Sequence, residues 1–332
     1  MSGSTVFVTG AYGLLGAWLV RALVARGDRV VVLQRDRTPR SALLLDGPAA
    51  GALDVVHGDL TDPGLVARAL GEYEVDSVFH LAAQTIVGTA NRSPLATFET
   101  NVRGTWLLLE ACRLHGARRV VVAASDKAYG ASATLPYRED HPLEPRFPYD
   151  VSKAATDLIS RSYWHTYGLP VAVTRFANLY GGGDLNRSRL VPEAIGAALA
   201  GRAPVIRSDG TPERDFLYVE DAVAAYLQLA DALDADGALP AGAAPRARGE
   251  AFNAGGGAPH AVRDVVARIC RIAGTDVEPE IRGAGTPAGE IDRQYVDPAK
   301  LRALTGWAPA VGLDEGLERT VAWYRAHPQA LA

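Results

Sequence analysis

Tyr149 and Lys153 stand four residues apart in Tyr149-Asp150-Val151-Ser152-Lys153, a spacing that puts a phenol and an ammonium on one face of a helix. A cation at that distance lowers the pKa of a phenol, and a tyrosinate formed near neutral pH is a suitable base for the proton of a sugar hydroxyl. Ser125, just past the apolar run Val120–Ala124, offers a hydroxyl that can bond to the same group. Asp126 and Lys127 follow it directly. The acid can protonate a departing hydroxyl. The amine can take a carbon-bound proton if burial depresses its pKa, and would stabilise an enolate if it stays charged.

A second group of residues reads as a phosphate cradle. Thr9-Gly10-Ala11-Tyr12-Gly13-Leu14-Leu15-Gly16 lies between a β-branched run and a helical stretch. Glycines there let the backbone of Gly10, Tyr12, Gly13, Leu14, Leu15 and Gly16 approach a pyrophosphate, whose charge rests on the helix N-terminus. The glycine spacing differs by one residue from the G-x-G-x-x-G dinucleotide fingerprint. Asp59 and Leu60 follow the third apolar run, where a carboxylate can accept from the adenine amino group. Leu81, Ala82, Ala83 and Gln84 end the fourth, and the small alanines leave room for a ribose or phosphate. The second run ends in Gln34-Arg35-Asp36. An acid in the place of Gln34 would hold the ribose hydroxyls of NAD, whereas Arg35 can meet a 2′-phosphate. The expected cofactor is a tightly bound NAD, with NADP left open.

The elements that must position these residues are visible in the periodicity. Thr5–Val8, Arg29–Leu33, Leu53–Val56, Ser77–Leu81, Arg119–Ala123 and Pro170–Phe176 read as strands. Helical stretches at Leu14–Arg26, Pro63–Leu70, Thr97–His115 and Ser152–Tyr167 separate them. Uninterrupted apolar strands alternating with helices imply a parallel sheet covered on both faces. The fold class expected is α/β, a Rossmann-like doubly wound parallel sheet with a smaller, interleaved C-terminal α/β substrate domain. Residues 1–180, with about 215–230 and 250–265, are assigned to the first domain, and 181–214 and 266–330 to the second. Phe252-Asn253-Ala254 is expected to return to the main sheet before the helices Val262–Ala273 and Leu313–His327. Asp234–Gly249 reads as an Ala/Gly/Pro-rich loop.

Composition excludes other classes. The 332 residues carry 34 Lys+Arg against 38 Asp+Glu, a formal charge of -4, which lacks the basic field of a nucleic-acid binder. Apolar runs such as Ala194–Ala200 are too short for a membrane span, and no secretory signal is visible. Cys112 and Cys270 fit free thiols in a reducing cytoplasm. The seven scattered His residues give no metal-ligand spacing, so no metal is expected.

In combination the motifs resemble the extended short-chain dehydrogenase/reductase family, the nucleotide-sugar epimerases and dehydratases. The resemblance runs over essentially the whole chain. It includes Thr9–Gly16, Asp59, His80–Gln84, Asn101-Val102-Arg103-Gly104-Thr105, Ser125–Gly130, Tyr149–Lys153, Arg175–Gly181 and Arg214–Asp221. It implies that Asn101 joins the cofactor site, that Gln84, Ser125 and Asn178 meet the substrate, and that Arg214 and Arg293 pair with its diphosphate. Guanidinium forks match phosphate oxygens. Arg175, Arg187, Arg189, Arg207 and Arg214 concentrate positive charge in the same region. The family also implies a homodimer built on Thr97–His115 and Ser152–Tyr167, for which Leu107, Leu108 and Trp164 are candidate outward positions.

Within the family, epimerases usually carry small residues at the positions of Asp126 and Lys127. An Asp-Lys pair looks like that of CDP-glucose 4,6-dehydratases and of inverting UDP-N-acetylglucosamine dehydratases. Gly181-Gly182-Gly183-Asp184 and Arg189-Leu190-Val191-Pro192 are similar to the CDP-glucose enzymes, while Arg214–Val219 is nearer the epimerases. The expected activity is 4,6-dehydration of a CDP-glucose-like nucleotide-diphospho-hexose to a 4-keto-6-deoxy sugar by internal hydride transfer. UDP-glucose/galactose-type 4-epimerization with the same Ser125, Tyr149, Lys153 and NAD is the alternative.

Overall fold

Alternating burial in the first strands dictates the central layer. In β1 (Thr5–Thr9), Val6 and Val8 pack on one face and Phe7 on the other; in β2 (Arg29–Gln34), Val30 and Val32 oppose Val31 and Leu33. A strand apolar on both faces must be covered on both sides, which a parallel sheet with crossover helices achieves.

The computed structural model describes residues 3–48, 51–236, 246–286 and 291–331. The strands continue with β3 (Leu53–His57), β4 (Ser77–His80), β5 (Arg119–Ala123), β6 (Val171–Phe176), β7 (Asn178–Tyr180), β8 (Val205–Ile206), β9 (Glu213–Tyr218), β10 (Glu250–Ala254), β11 (Pro259–Ala261), β12 (Glu280–Ile281) and β13 (Arg293–Gln294). Seven form one sheet in the order β10-β6-β5-β4-β1-β2-β3, every pair parallel. This is the Rossmann-like α/β fold expected, and Phe252–Ala254 lies in β10, beside β6. Smaller sheets join β11-β9-β13, with β7 against β9, and β12-β8.

The helices are α1 (Leu14–Arg26), α2 (Ala42–Leu45), α3 (Pro63–Glu72), α4 (Val87–Arg92), α5 (Pro94–Phe98), α6 (Gly104–His115), α7 (Pro148–Tyr167), α8 (Leu190–Leu199), α9 (Val219–Asp236), α10 (Val262–Ala273), α11 (Ala299–Thr305) and α12 (Leu313–Ala326). α1 packs beside α9 on one face of the sheet, and α3, α6 and α7 lie side by side on the other. None of the described helices is long and apolar enough to cross a membrane.

Three expectations change. Thr97–His115 is not one helix: a π-helical segment, Glu99–Arg103, separates α5 from α6. Leu108 is wholly buried under the sheet, not outward, while Leu107 and Trp164 are half-buried. The exposed apolar side chains of this region are Leu95, Phe98, Trp106, Leu114, Val151, Leu158 and Tyr167. Third, the segment Asp234–Gly249 begins as the last turn of α9, because Leu233 and Ala230 continue its buried face; residues 237–245 lie outside the described residues.

Candidate active site

The C-terminal ends of β1, β4 and β5 open into a cleft of about 1200 Å³. Ligands of open α/β sheets bind at that end. Of the sequence-derived site residues, Gly10, Tyr12, Gly13, Leu14, Leu15, Gly16, Arg35, Asp59, Leu60, Leu81, Ala82, Ala83, Gln84, Ser125, Asp126, Lys127, Tyr149, Lys153, Asn178, Arg189, Leu190, Val191, Arg207 and Arg214 all line it.

The glycine turn is shaped for a diphosphate. Gly10 has φ +75°, and a Cβ there would stand 2.7 Å from the Ala82 nitrogen; one on Gly16 would stand 2.1 Å from the Gly10 carbonyl oxygen. Only hydrogen at these positions lets the turn press against the end of β4 and lead straight into α1. This cradle fits a dinucleotide, with the pyrophosphate against Gly10–Gly16 at the N-terminus of α1.

Beneath it lies a network that sequence reasoning missed. Thr9 Oγ1 accepts from the backbone nitrogens of Leu81 and Ala82, 3.2 Å each, and lies 2.8 Å from His80 Nδ1. Thr105 Oγ1 donates to the Asn101 carbonyl at 2.6 Å and lies 2.9 Å from His80 Nε2. With both hydroxyl protons so assigned, Thr9 donates to Nδ1 and Nε2–H donates to Thr105, a neutral imidazole. Burial, aided by the charge of Lys153, pushes the His80 pKa down to about 3. The signal was available in the sequence: Thr9 opens the glycine turn, His80 opens His80–Gln84, and Thr105 closes Asn101–Thr105.

At the adenosine end, Asp59 accepts from Thr61 N and Oγ1 at 2.8 Å each. Burial raises its pKa, but these bonds and the charge of Arg35 outweigh it and hold the carboxyl below its ordinary range. Gln34 does not line the cleft, because its Oε1 accepts from Tyr12 Oη at 3.2 Å and its amide turns back to the Asp36 carbonyl. Arg35 and Asp36, paired at 2.7 Å, take that place instead. Asn101 also stays out of the cleft. It braces Gln84 from behind, bonding its N and O at 2.7 and 3.1 Å, and reaches Ser152 Oγ at 2.9 Å.

At the reacting end, Ser125 caps the 3-10 turn Asp126–Tyr129, and its hydroxyl donates to Asp126 Oδ1 at 3.1 Å. Asp126 is almost wholly buried, and desolvation raises its pKa to about 6 against the pull of Lys127. Lys127 also lies within electrostatic reach of Asp150. Helix α7 brings Tyr149 and Lys153 to the same place. The expected depression of the phenol by Lys153 is not found: burial raises Tyr149 to about 12, and the largest opposing charge is Arg189, with Ser125 hydrogen-bonding to the phenol. Lys153 Nζ is engaged by the Ala123 carbonyl at 2.7 Å, and burial brings its own pKa down to about 8.

Of the six arginines expected around a diphosphate, Arg189, Arg207 and Arg214 line the cleft. Arg175 lies beneath it, wholly buried and bidentate to Asp157 at 2.8 and 3.0 Å. Arg187 is not among the lining residues, and nor is Arg293, whose Nε donates to Glu213 at 2.7 Å on an exposed strand position. The strand register explains this: β13 turns Gln294 inward and Arg293 outward.

The sequence profile of the NAD dependent epimerase/dehydratase family matches residues 6–255. The chain belongs to the NAD-dependent epimerase/dehydratase family. NAD is therefore its cofactor class, in keeping with the cradle. A dTDP-glucose 4,6-dehydratase of Xanthomonas campestris is 33% identical over 340 residues, covering 97% of this chain and 93% of that protein. A UDP-glucose 4-epimerase of Mycolicibacterium smegmatis is also 33% identical, over 97% of this chain and 99% of its own length. Among solved structures, the dTDP-glucose 4,6-dehydratase of Streptomyces venezuelae with NAD and TYD bound superposes with a TM-score of 0.85 at 32% identity, covering 98% of each chain. This chain is thus an enzyme of the family's nucleotide-sugar dehydratase and epimerase branch.

Proposed function

We propose that this enzyme is a nucleotide-diphospho-hexose 4,6-dehydratase. The observation that carries the reading is Asp126: a buried carboxyl in the cleft, beside Lys127, with its pKa raised to about 6, can hold a proton near neutral pH and deliver it. A 4-epimerase needs no such acid.

The residues divide the work by position. Gly10–Gly16, Asp59 and Ala82–Ala83 hold NAD, and Arg189, Arg207 and Arg214 face the sugar diphosphate. Tyr149 Oη, with Ser125 beside it, takes the proton of the carbon-4 hydroxyl only as a tyrosinate, a form that Arg189 and the positive nicotinamide of bound NAD would favour against burial. Lys127 Nζ, in its uncharged form, takes the proton from carbon 5, acidified by the new ketone, Asp126 protonates the hydroxyl leaving carbon 6 as water, and Lys127 returns its proton to carbon 5 once carbon 6 is reduced. NAD, when bound, would supply a reversible hydride carrier between carbon 4 and carbon 6. Substrate thus becomes 4-keto-6-deoxy sugar plus water, with no net oxidation. The CDP-glucose reading rests on Gly181–Asp184 and Arg189–Pro192, whereas dTDP-glucose is the substrate named for the dehydratase relatives.

The test is a screen of CDP-, dTDP-, UDP- and GDP-hexoses for the ultraviolet absorbance that 4-keto sugars develop in alkali. Asp126→Asn and Lys127→Ala should abolish that signal while sparing oxidation at carbon 4. A substrate interconverted with its carbon-4 epimer, with no 4-keto product, would establish the epimerase alternative, favoured by the equally similar mycobacterial relative. The exposed Leu95, Phe98 and Trp106, with Val151 and Leu158 two turns apart on α7, support a homodimer through α5–α7. Sedimentation at the monomer mass would refute that.

A further inference from the structure

Directly behind Asp126 lies a glutamine that sequence motifs did not single out. Gln294 is wholly buried at the inner position of β13, in register with Arg214 of β9. Neither atom of its amide, Oε1 or Nε2, has a hydrogen-bond partner among the described residues. Asp126 Oδ2 is buried and unpartnered in the same way, and the Gln294 amide is the neutral side chain facing that carboxyl. Three orphaned polar atoms in one dry place are too costly to leave unmatched, and an apolar residue would fill the position more cheaply. The amide is close enough to act on the ionisation of that carboxyl.

An amide differs from every charged partner in offering both a donor and an acceptor. We propose that Gln294 is a positioning residue for Asp126, its Oε1 accepting from the protonated acid and its Nε2 donating to the carboxylate left after the proton is given up. Asp126 then keeps a partner on its buried side in both of its protonation states. The inference rests on the dehydratase reading, in which Asp126 is the acid. The other groups facing that carboxyl are Ser125 and Lys127 from its own segment, Tyr149 from α7, Arg214 and Asp215 from β9, and Tyr137. Of these, Asp215, raised to about 7 by burial and by the charge of Asp126, accepts from the Gly256 nitrogen, while Tyr137 donates to the Gly130 carbonyl and Ser125 to Oδ1.

The experiment compares wild type, Gln294→Met and Gln294→Glu, each with cofactor bound, over pH 5 to 9. Carbon-4 oxidation is followed in a single turnover by reduced nicotinamide, and water loss by the 4-keto-6-deoxy product. Gln294→Met should slow water loss roughly 3–10-fold, the value of one hydrogen bond, and change carbon-4 oxidation by less than about twofold. Without the amide donor the carboxylate is less stabilised, so the limb of the profile where the acid is lost should move to higher pH. Combined with Asp126→Asn, it should add nothing to the loss. Equal slowing of both steps, or an unmoved limb, overturns the proposal. If the Met variant does not fold, Gln294→Glu decides: two carboxyls sharing the site should push the limb higher still, and an unmoved limb overturns it. Wild type that yields no 4-keto-6-deoxy sugar from any hexose sinks the dehydratase reading and this inference with it, a failure visible before any variant is made.

Discussion

Removing the guanidinium of Arg175 should be among the most destabilising single changes in the molecule. Arg175 on β6 is 1% exposed and Asp157 on α7 is 0% exposed. Nε and Nη2 bind the carboxylate at 2.8 and 3.0 Å, while Nη1 donates to Tyr129 Oη at 3.0 Å and to the Glu139 carbonyl at 3.2 Å. Arg175→Met leaves Asp157 charged in a dry site; the remaining cation, Arg161, stands 3.8 Å away and is partly exposed. Breaking a buried pair in this way costs about 3–5 kcal/mol. Asp157→Leu in the Arg175→Met background removes the stranded charge, and apolar replacement of a whole buried pair is close to neutral. The double variant should therefore recover most of the loss. Urea unfolding followed by tryptophan fluorescence gives both values from the midpoint and slope. A single variant within about 1 kcal/mol of wild type, or a double variant as weak as the two singles added, would refute the assignment of this pair as a desolvated unit.

Gly10→Ala should weaken NAD binding at least about tenfold, since a side chain at φ +75° is strained by 1–2 kcal/mol and its Cβ meets the Ala82 nitrogen. Gly27→Ala, also at positive φ but with nothing within 4 Å, is the control that should bind NAD normally; equal titrations for the two variants would remove the cradle argument. His80 should make folding pH-dependent. Its folded pKa of about 3 lies below the ordinary 6.5, so its contribution is complete above pH 6.5 and is lost as pH falls from there towards 3. By pH 5 the loss is on the order of 2 kcal/mol. The difference in unfolding midpoint between pH 7 and pH 5 should shrink in His80→Asn, and an unchanged difference would show that His80 is not held neutral.

The sheet was legible because its strands are apolar on both faces; Val6-Phe7-Val8 and Val30-Val31-Val32 admit few other placements. Cleft residues carried by turns, such as Gly10 and Gly16, were legible for a related reason, since close backbone approach demands glycine. What escaped was orientation. Arg293 and Gln294 are neighbours, and nothing in their types says which faces inward; the family pattern points to the charged one, and the strand register turns the neutral one in. The helix expected over Thr97–His115 failed because a π-helical turn preserves composition while shifting phase. Lys153 and Tyr149 both line the cleft, yet burial governs the phenol, a balance that spacing does not report.

The late return of β10 to the sheet bears on how the protein is made. Until residues 250–254 have emerged from the ribosome, β6 is an open edge, with the backbone groups of Ala172–Phe176 that face away from β5 unpaired. At ordinary translation rates the interval from residue 176 to residue 250 lasts roughly 4–15 s. Throughout that time the nascent chain carries most of a parallel sheet and a ready template for pairing with a neighbour on the same messenger. The chain is thus most exposed to aggregation in the middle of its own synthesis, and fragments ending before β10 should be recovered chiefly in insoluble form.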